Sequence, residues 1–180
     1  NLFFPLQVLV TSGWAYYNEP VETARERSAT MLKQVARYAG EQGINLAIEA
    51  LRAPESRIAN TVADLNLLLS MVDEPALKVC LDIGAMVSAG NTVQEYFDTF
   101  GPKMIHAHYV DTGERSLHLA LGDGERDIAT DILTFEQNGY QGVLSVECTD
   151  SATLTDPMAA DARSMATYLS AYEKIEAARA

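Results

Sequence analysis

Glu49, Asp82, His108 and Glu147 each stand at or near the C-terminal end of a short apolar run: "LAIEAL", "VCLDIG", "HAHYVD" and "LSVECT". One strand-end carboxylate is ordinary, a solvated group or a helix cap. Four such residues in four consecutive runs form a pattern. Two glutamates, an aspartate and a neutral imidazole make a mixed oxygen–nitrogen donor set suited to one divalent ion, Mn²⁺, Mg²⁺ or Co²⁺, with Zn²⁺ also admitted. The set lacks the thiolates of a structural zinc site. All three histidines fall within "HAHYVDTGERSLH", residues 106–118. His106 and His108 share a face, because strand side chains alternate. His108 lies nearer the strand end and is the expected ligand; His106, one layer deeper, is expected to be a hydrogen-bonded interior histidine. Asp111, just beyond the strand, is expected to orient a ligand or cap the loop.

These residues can meet only if their strands run side by side in one direction. Five apolar runs read as strands, over 6–12, 44–51, 77–83, 104–110 and 142–148. Apolar residues occupy both parities, as in strands covered on both faces. Helical patterns separate them. In the first, Val21, Ala24, Met31, Leu32, Val35, Ala36 and Ala39 mark one face, with Pro20 opening it and Gly43 following its end. Two more begin with Asn-Thr, and Thr92 with Glu95 fits a capping box. The strict β-α alternation implies a parallel sheet with helical crossovers, and no linker divides residues 1–180, which read as a single domain. An open doubly wound sheet and part of a barrel both satisfy this order. The first βα turn, "TSGWAYYNEP", has one glycine and so lacks the dinucleotide-binding pattern. In a parallel barrel the C-terminal strand ends gather at one rim, where active sites sit.

Composition narrows the partners. A net charge of −12, with 13 scattered Lys and Arg, offers no stripe to neutralise phosphates and argues against nucleic acid. No apolar run approaches the roughly 18 residues of a membrane span. "NLFFPLQVLV" has neither a basic region nor a small-residue cleavage site, arguing against a signal peptide. Cys80 and Cys148 lie 68 positions apart, each in a strand-like run, and read as small buried thiols of a reducing, cytoplasmic compartment. Self-association is left open. The chain does not start with methionine, so residue 1 reads as something other than a natural start.

The segments "LAIEALRAPESRIANT", "CLDIGAM", "YFDTFGPKMIHAHYVDT", "HLALGDG" and "YQGVLSVECTD" together resemble the sugar phosphate isomerase/epimerase family of xylose-isomerase-like TIM barrels. Within it they are most similar to the branch of fructoselysine 3-epimerase and D-tagatose/D-psicose 3-epimerases. The resemblance implies a TIM (β/α)8 barrel of which this chain supplies β4–α8, the first three βα units being missing. It implies that Glu49, Asp82, His108 and Glu147 bind one divalent metal ion, and that Glu49 and Glu147 double as the acid/base pair. By the same resemblance Glu55 contacts substrate, and His118, four residues before Gly122, faces the site. Trp14, in the loop after the first strand, could line a sugar pocket. One departure stands out: many members read Asp-x-x-His on the third strand, and here Asp82 is followed by Ala85. Alanine cannot touch a substrate oxygen, which leaves the substrate's identity open.

The expected function is metal-dependent isomerisation or epimerisation of a small carbohydrate, a ketose or sugar phosphate, by proton abstraction next to a carbonyl. A dehydratase could use the same site. An apurinic-site-nuclease-like phosphodiesterase would want more metal ligands and a surface for DNA, and a non-catalytic sugar-binding relative would keep only the fold.

Overall fold

In a computed structural model, residues 7–179 are described. The elements follow in the order β1 Gln7–Val10, α1 Val21–Glu41, β2 Asn45–Glu49, α2 Val62–Val72, β3 Leu77–Asp82 and α3 Ile83–Ser88. Then come α4 Val93–Phe100, a 3-10 turn at Gly101–Lys103, β4 Met104–His108 and a small hairpin, β5 Asp111–Gly113 with β6 Ser116–Leu119. The chain continues through α5 Ile128–Gln137, β7 Val143–Ser145, α6 Ser151–Thr155 and α7 Pro157–Arg179. Leu6 of the expected first strand, and the "NLFFP" part of the signal-peptide reading, lie outside the described residues.

The main sheet is parallel throughout, with strand order β1-β2-β3-β4-β7. Parallel strands thus lie in chain order from one edge to the other. A doubly wound sheet reverses direction partway, so this order decides for the barrel: five consecutive staves of a (β/α)8 barrel. Strand parity sorts the side chains. Leu46, Ile48, Val79, Leu81, Ala107 and Tyr109 enter the apolar core with the helices. Ala47, Cys80 and His106, of the other parity, stay out of that core and line the concave face. The curvature is deep enough for Gln7 on β1 to reach across two strands and donate from Nε2 to His106 Nδ1 at 2.8 Å.

The helices start where their capping chemistry places them. Thr92 Oγ1 accepts the Glu95 N–H and Glu95 returns the bond to the Thr92 N–H at 2.7 Å, the reciprocal pair of a capping box. Thr61 and Asp64 do the same for α2. The expected face of α1 needs one correction. Ala24, Leu32, Ala36 and Ala39 are buried as expected, and Ala29 joins them, but Met31 and Val35 are 54% and 44% exposed. Both flank the outer side of β1, an edge strand with nothing described beyond it, and the core is closed only on the β2 side.

One loop shows what an acidic residue outside the four strand ends does. Asp111 is 1% exposed, and its carboxylate accepts backbone N–H groups from Thr112, Gly122, Gly124 and Arg126 at 2.8–3.1 Å. It ties the "GDGE" loop to the hairpin. A Cβ at Gly124 would collide with this carboxylate, so the close approach needs glycine there. Of the two roles expected for Asp111, orienting a ligand and capping the loop, these four bonds supply the second. Asp111→Ala leaves several partly buried amides without acceptors and is expected to cost about 2–4 kcal/mol of stability. Thermal unfolding by circular dichroism checks it, and an unchanged midpoint would assign the loop's order to something else.

Candidate metal centre

Glu49, Asp82 and His108 are the last residues of β2, β3 and β4. The ladders set Asp82 beside His108, and Ser145 of β7 on His108's other side. Glu147 follows two residues after Ser145, on the same parity, just past the end of the ladder. The expected strand over 142–148 is therefore shorter than anticipated, and Glu147 extends from the loop.

The four side chains converge. Each offers one ligand atom, and the four atoms all lie within 4.8 Å of one another. His108 Nδ1 stands at the centre, 3.0 Å from Glu49 Oε2, 3.0 Å from Glu147 Oε2 and 3.4 Å from Asp82 Oδ2. Glu49, Asp82 and His108 are buried; the Glu147 side chain is 42% exposed and forms the open wall. Asp82 divides its carboxylate: Oδ1 accepts the Ala85 N–H at 2.5 Å as the cap of α3, and Oδ2 faces His108.

This arrangement fits a cation. Despite three carboxylates around it, His108 Nδ1 has no hydrogen-bond partner of acceptable geometry. One ring nitrogen carries at most one proton and cannot serve three oxygens. Burial works against charge on the ring, but the proximity of Asp82, Cys80, Glu147 and Glu49 outweighs it, and the imidazole's pKa is raised. Three acidic groups around one nitrogen favour a positive charge between them, and a divalent ion satisfies all four donors where a proton satisfies two. Asp82 is held below its ordinary carboxylate range: burial raises it, but His108 and the Ala85 amide prevail.

His106 occupies the layer beneath. Its Nδ1 accepts from Gln7 and its Nε2 donates to Ser145 Oγ at 2.7 Å. Burial and the neighbouring His108 ring keep its pKa below the usual histidine value. It is an interior histidine with both nitrogens engaged.

The remaining expected site residues are distributed around the rim. His118, on β6, approaches the four: Nε2 is 3.6 Å from Asp82 Oδ1, and Nδ1 donates to the Glu147 carbonyl at 3.2 Å. That bond places a proton on Nδ1 and leaves Nε2 facing the site. The approach depends on Gly84, where a Cβ would sit 2.5 Å from His118 Nε2. Glu55 is bound by Arg52, whose Nε donates to Oε1 at 3.0 Å and whose N–H donates to Oε2 at 2.9 Å; the guanidinium lowers its pKa. Trp14 is 54% exposed, and its carbonyl accepts from Arg27 on α1. Among the described residues no contact joins Trp14 to the four converging side chains.

One residue was passed over. Cys80, read as a buried filler, is fully buried as expected, but its sulfur also groups with ligand atoms of Glu49 and His108 within 4.8 Å. The available signal was its parity, two residues before Asp82 on the same strand. Cys148, also expected to be buried, is only partly so, and both thiols are free.

Comparison with known proteins agrees with the fold. A family model described as "Xylose isomerase-like TIM barrel" matches residues 6–170. Fructoselysine 3-epimerase of Escherichia coli O157:H7 is 32% identical over 143 residues, 77% of this chain and 51% of that protein. D-psicose 3-epimerase of Agrobacterium fabrum is 32% identical over 100 residues, 54% of this chain and 34% of that protein. A crystal structure of a D-tagatose 3-epimerase-like protein superposes with a TM-score of 0.81 at 18% identity, covering 97% of this chain and 64% of that one. At 18% that likeness speaks to the fold alone. The chain spans about half the length, or less, of the curated relatives it matches.

Proposed function

The chain belongs to the xylose isomerase-like TIM-barrel family, and from that premise we propose that it carries the metal-dependent active site of a sugar epimerase or isomerase. The observation that supports this reading most is the convergence of Glu49, Asp82 and Glu147 on His108 Nδ1. These four would hold one divalent ion, with Mn²⁺, Mg²⁺ or Co²⁺ suited to the donor set and Zn²⁺ admitted. The ion, when bound, supplies Lewis-acid polarisation of a ketose carbonyl and a template for its neighbouring hydroxyl.

The chain's own residues do the rest. Glu49 and Glu147 stand on β2 and beyond β7, with β3 and β4 between them, and so address a bound sugar from two flanks. One takes the proton from the carbon beside the carbonyl; the other returns a proton to the opposite face. Epimerisation requires that pair. General acid–base transfer of this kind contributes about 10²–10⁴-fold. Asp82 and His108 hold position, His108 fixed by the sheet and Asp82 by the α3 cap. His118, Glu55 and the exposed Trp14 are the residues assigned to substrate contact, His118 through the free Nε2. The substrate is a small carbohydrate, and the two free thiols support a reducing, cytoplasmic compartment. Among the described residues no helix is long and apolar enough to cross a membrane.

Incubation of the protein and Mn²⁺ with a panel of ketoses in D₂O tests the reading. Deuterium at the carbon beside the carbonyl, with the skeleton retained, is the expected result. Loss of water would identify a dehydratase working at the same four residues. Cleavage of abasic DNA without ketose turnover would replace both.

A further inference from the structure

Cys80 pairs directly with Glu49 across the β2–β3 ladder and points to the same concave face as Asp82, since residues two apart on a strand share a side. It is fully buried. Its sulfur lies within 4.8 Å of ligand atoms on Glu49 and His108, and these three form a donor group of their own. Among the described residues, Cys80 does not join Asp82 and Glu147 in one group at that distance. The Glu49–His108 pair is therefore the shared edge of two overlapping donor sets. The outer set offers three carboxylates and an imidazole. The inner one offers a sulfur, a carboxylate and an imidazole. A second observation points to a ligand: His108, a member of both sets, is 5% exposed, and its Nδ1, 3.0 Å from Glu49 Oε2, is left without a hydrogen-bond partner.

We infer that Glu49, Cys80 and His108 form an alternative coordination site that captures soft divalent cations such as Cd²⁺ through the Cys80 thiolate. Donor softness is the reason. Mn²⁺ and Mg²⁺ prefer oxygen ligands, whereas a thiophilic ion prefers sulfur and stays with an imidazole. Forming the sulfur–metal bond releases the thiol proton to solvent, and no redox change is involved. Because Glu49 and His108 serve both sets, the two occupations exclude each other. An ion drawn to Cys80 sits deeper than one bound by Asp82 and Glu147 and blocks the outer position. Soft metals thus act as competitive inhibitors of metal loading. The inference rests on the metal centre proposed above in that it shares two of its residues.

The test uses the Cys148→Ala chain, which leaves Cys80 as the one thiol. Titration with CdCl₂ is followed by the ultraviolet thiolate-to-cadmium charge-transfer absorbance, and Mn²⁺ binding by electron paramagnetic resonance. One equivalent of Cd²⁺ is expected to develop the band and displace Mn²⁺. Adding Cys80→Ser, with Cys80→Ala as a second variant should serine disturb the interior, is expected to remove the band. It should also weaken Cd²⁺ binding about tenfold or more while leaving Mn²⁺ binding unchanged. No band in the Cys148→Ala chain, or a band that survives replacement of Cys80, overturns the inference. Normal Mn²⁺ binding without the band defeats this inference alone. Absence of Mn²⁺ binding would remove the proposed metal centre as well.

Discussion

Glu147→Gln is expected to lower turnover of the ketose substrate by about a thousandfold or more, with substrate affinity changed far less. Glutamine keeps the length and shape of the side chain but can neither take nor deliver the proton. It also replaces an anionic donor with a neutral one at the proposed metal centre. The site tolerates the change structurally, because the Glu147 side chain is 42% exposed and lies beyond the last strand. Lost activity would therefore reflect chemistry, with a melting curve close to that of the parent. Glu49→Gln is expected to do the same at a buried position. Steady-state kinetics with product analysis measures both. Turnover near the parent level in the Glu147 variant would remove that residue from the mechanism.

The second large effect concerns the ion itself. His108→Ala takes away the nitrogen that three carboxylates face at 3.0–3.4 Å. Metal affinity is expected to fall by at least about 100-fold, the upper end of what loss of even an outer-shell partner costs. Calorimetric titration with Mn²⁺ reads this directly. Chelation should abolish activity in the parent, and the rise in melting temperature on adding Mn²⁺ should disappear in the variant. Asp82→Asn is the cleaner companion. Asparagine caps helices as well as aspartate does, so α3 keeps its start while the site loses one charge. Undiminished Mn²⁺ affinity in His108→Ala would place the ion elsewhere.

Much of this geometry was legible in the sequence because burial and period carry it. The runs ending in Glu49, Asp82 and His108 are apolar at both parities; parity put His106 and His108 on one face, and position along the strand separated His108 at the rim from His106 below it. Strand order in a curved sheet then follows from the β-α alternation. Other features were hidden for physical reasons. The helix at Ile83–Ser88 begins directly after the residue that ends β3, so Asp82 closes the strand and caps the helix, and "IGAMVS" is too short for a helical period to emerge. The Asp111–Leu119 hairpin has strands of three and four residues, below the length at which alternation is readable, yet it is what brings His118 to the site. Asp111 looked equally like a ligand or a cap until the four amides around it were placed. The exposure of Met31 and Val35 depends on what covers an edge strand, which one segment's pattern does not encode.

The clamped imidazole of His106 has a consequence for proton traffic. Its Nδ1 accepts from Gln7 and its Nε2 donates to Ser145, and burial with the neighbouring His108 ring disfavours a positive charge on it. It is therefore a poor store for a proton shed in the layer above. Of the four converging side chains only Glu147 opens widely to solvent, and isotope wash-in is expected to run through that carboxylate.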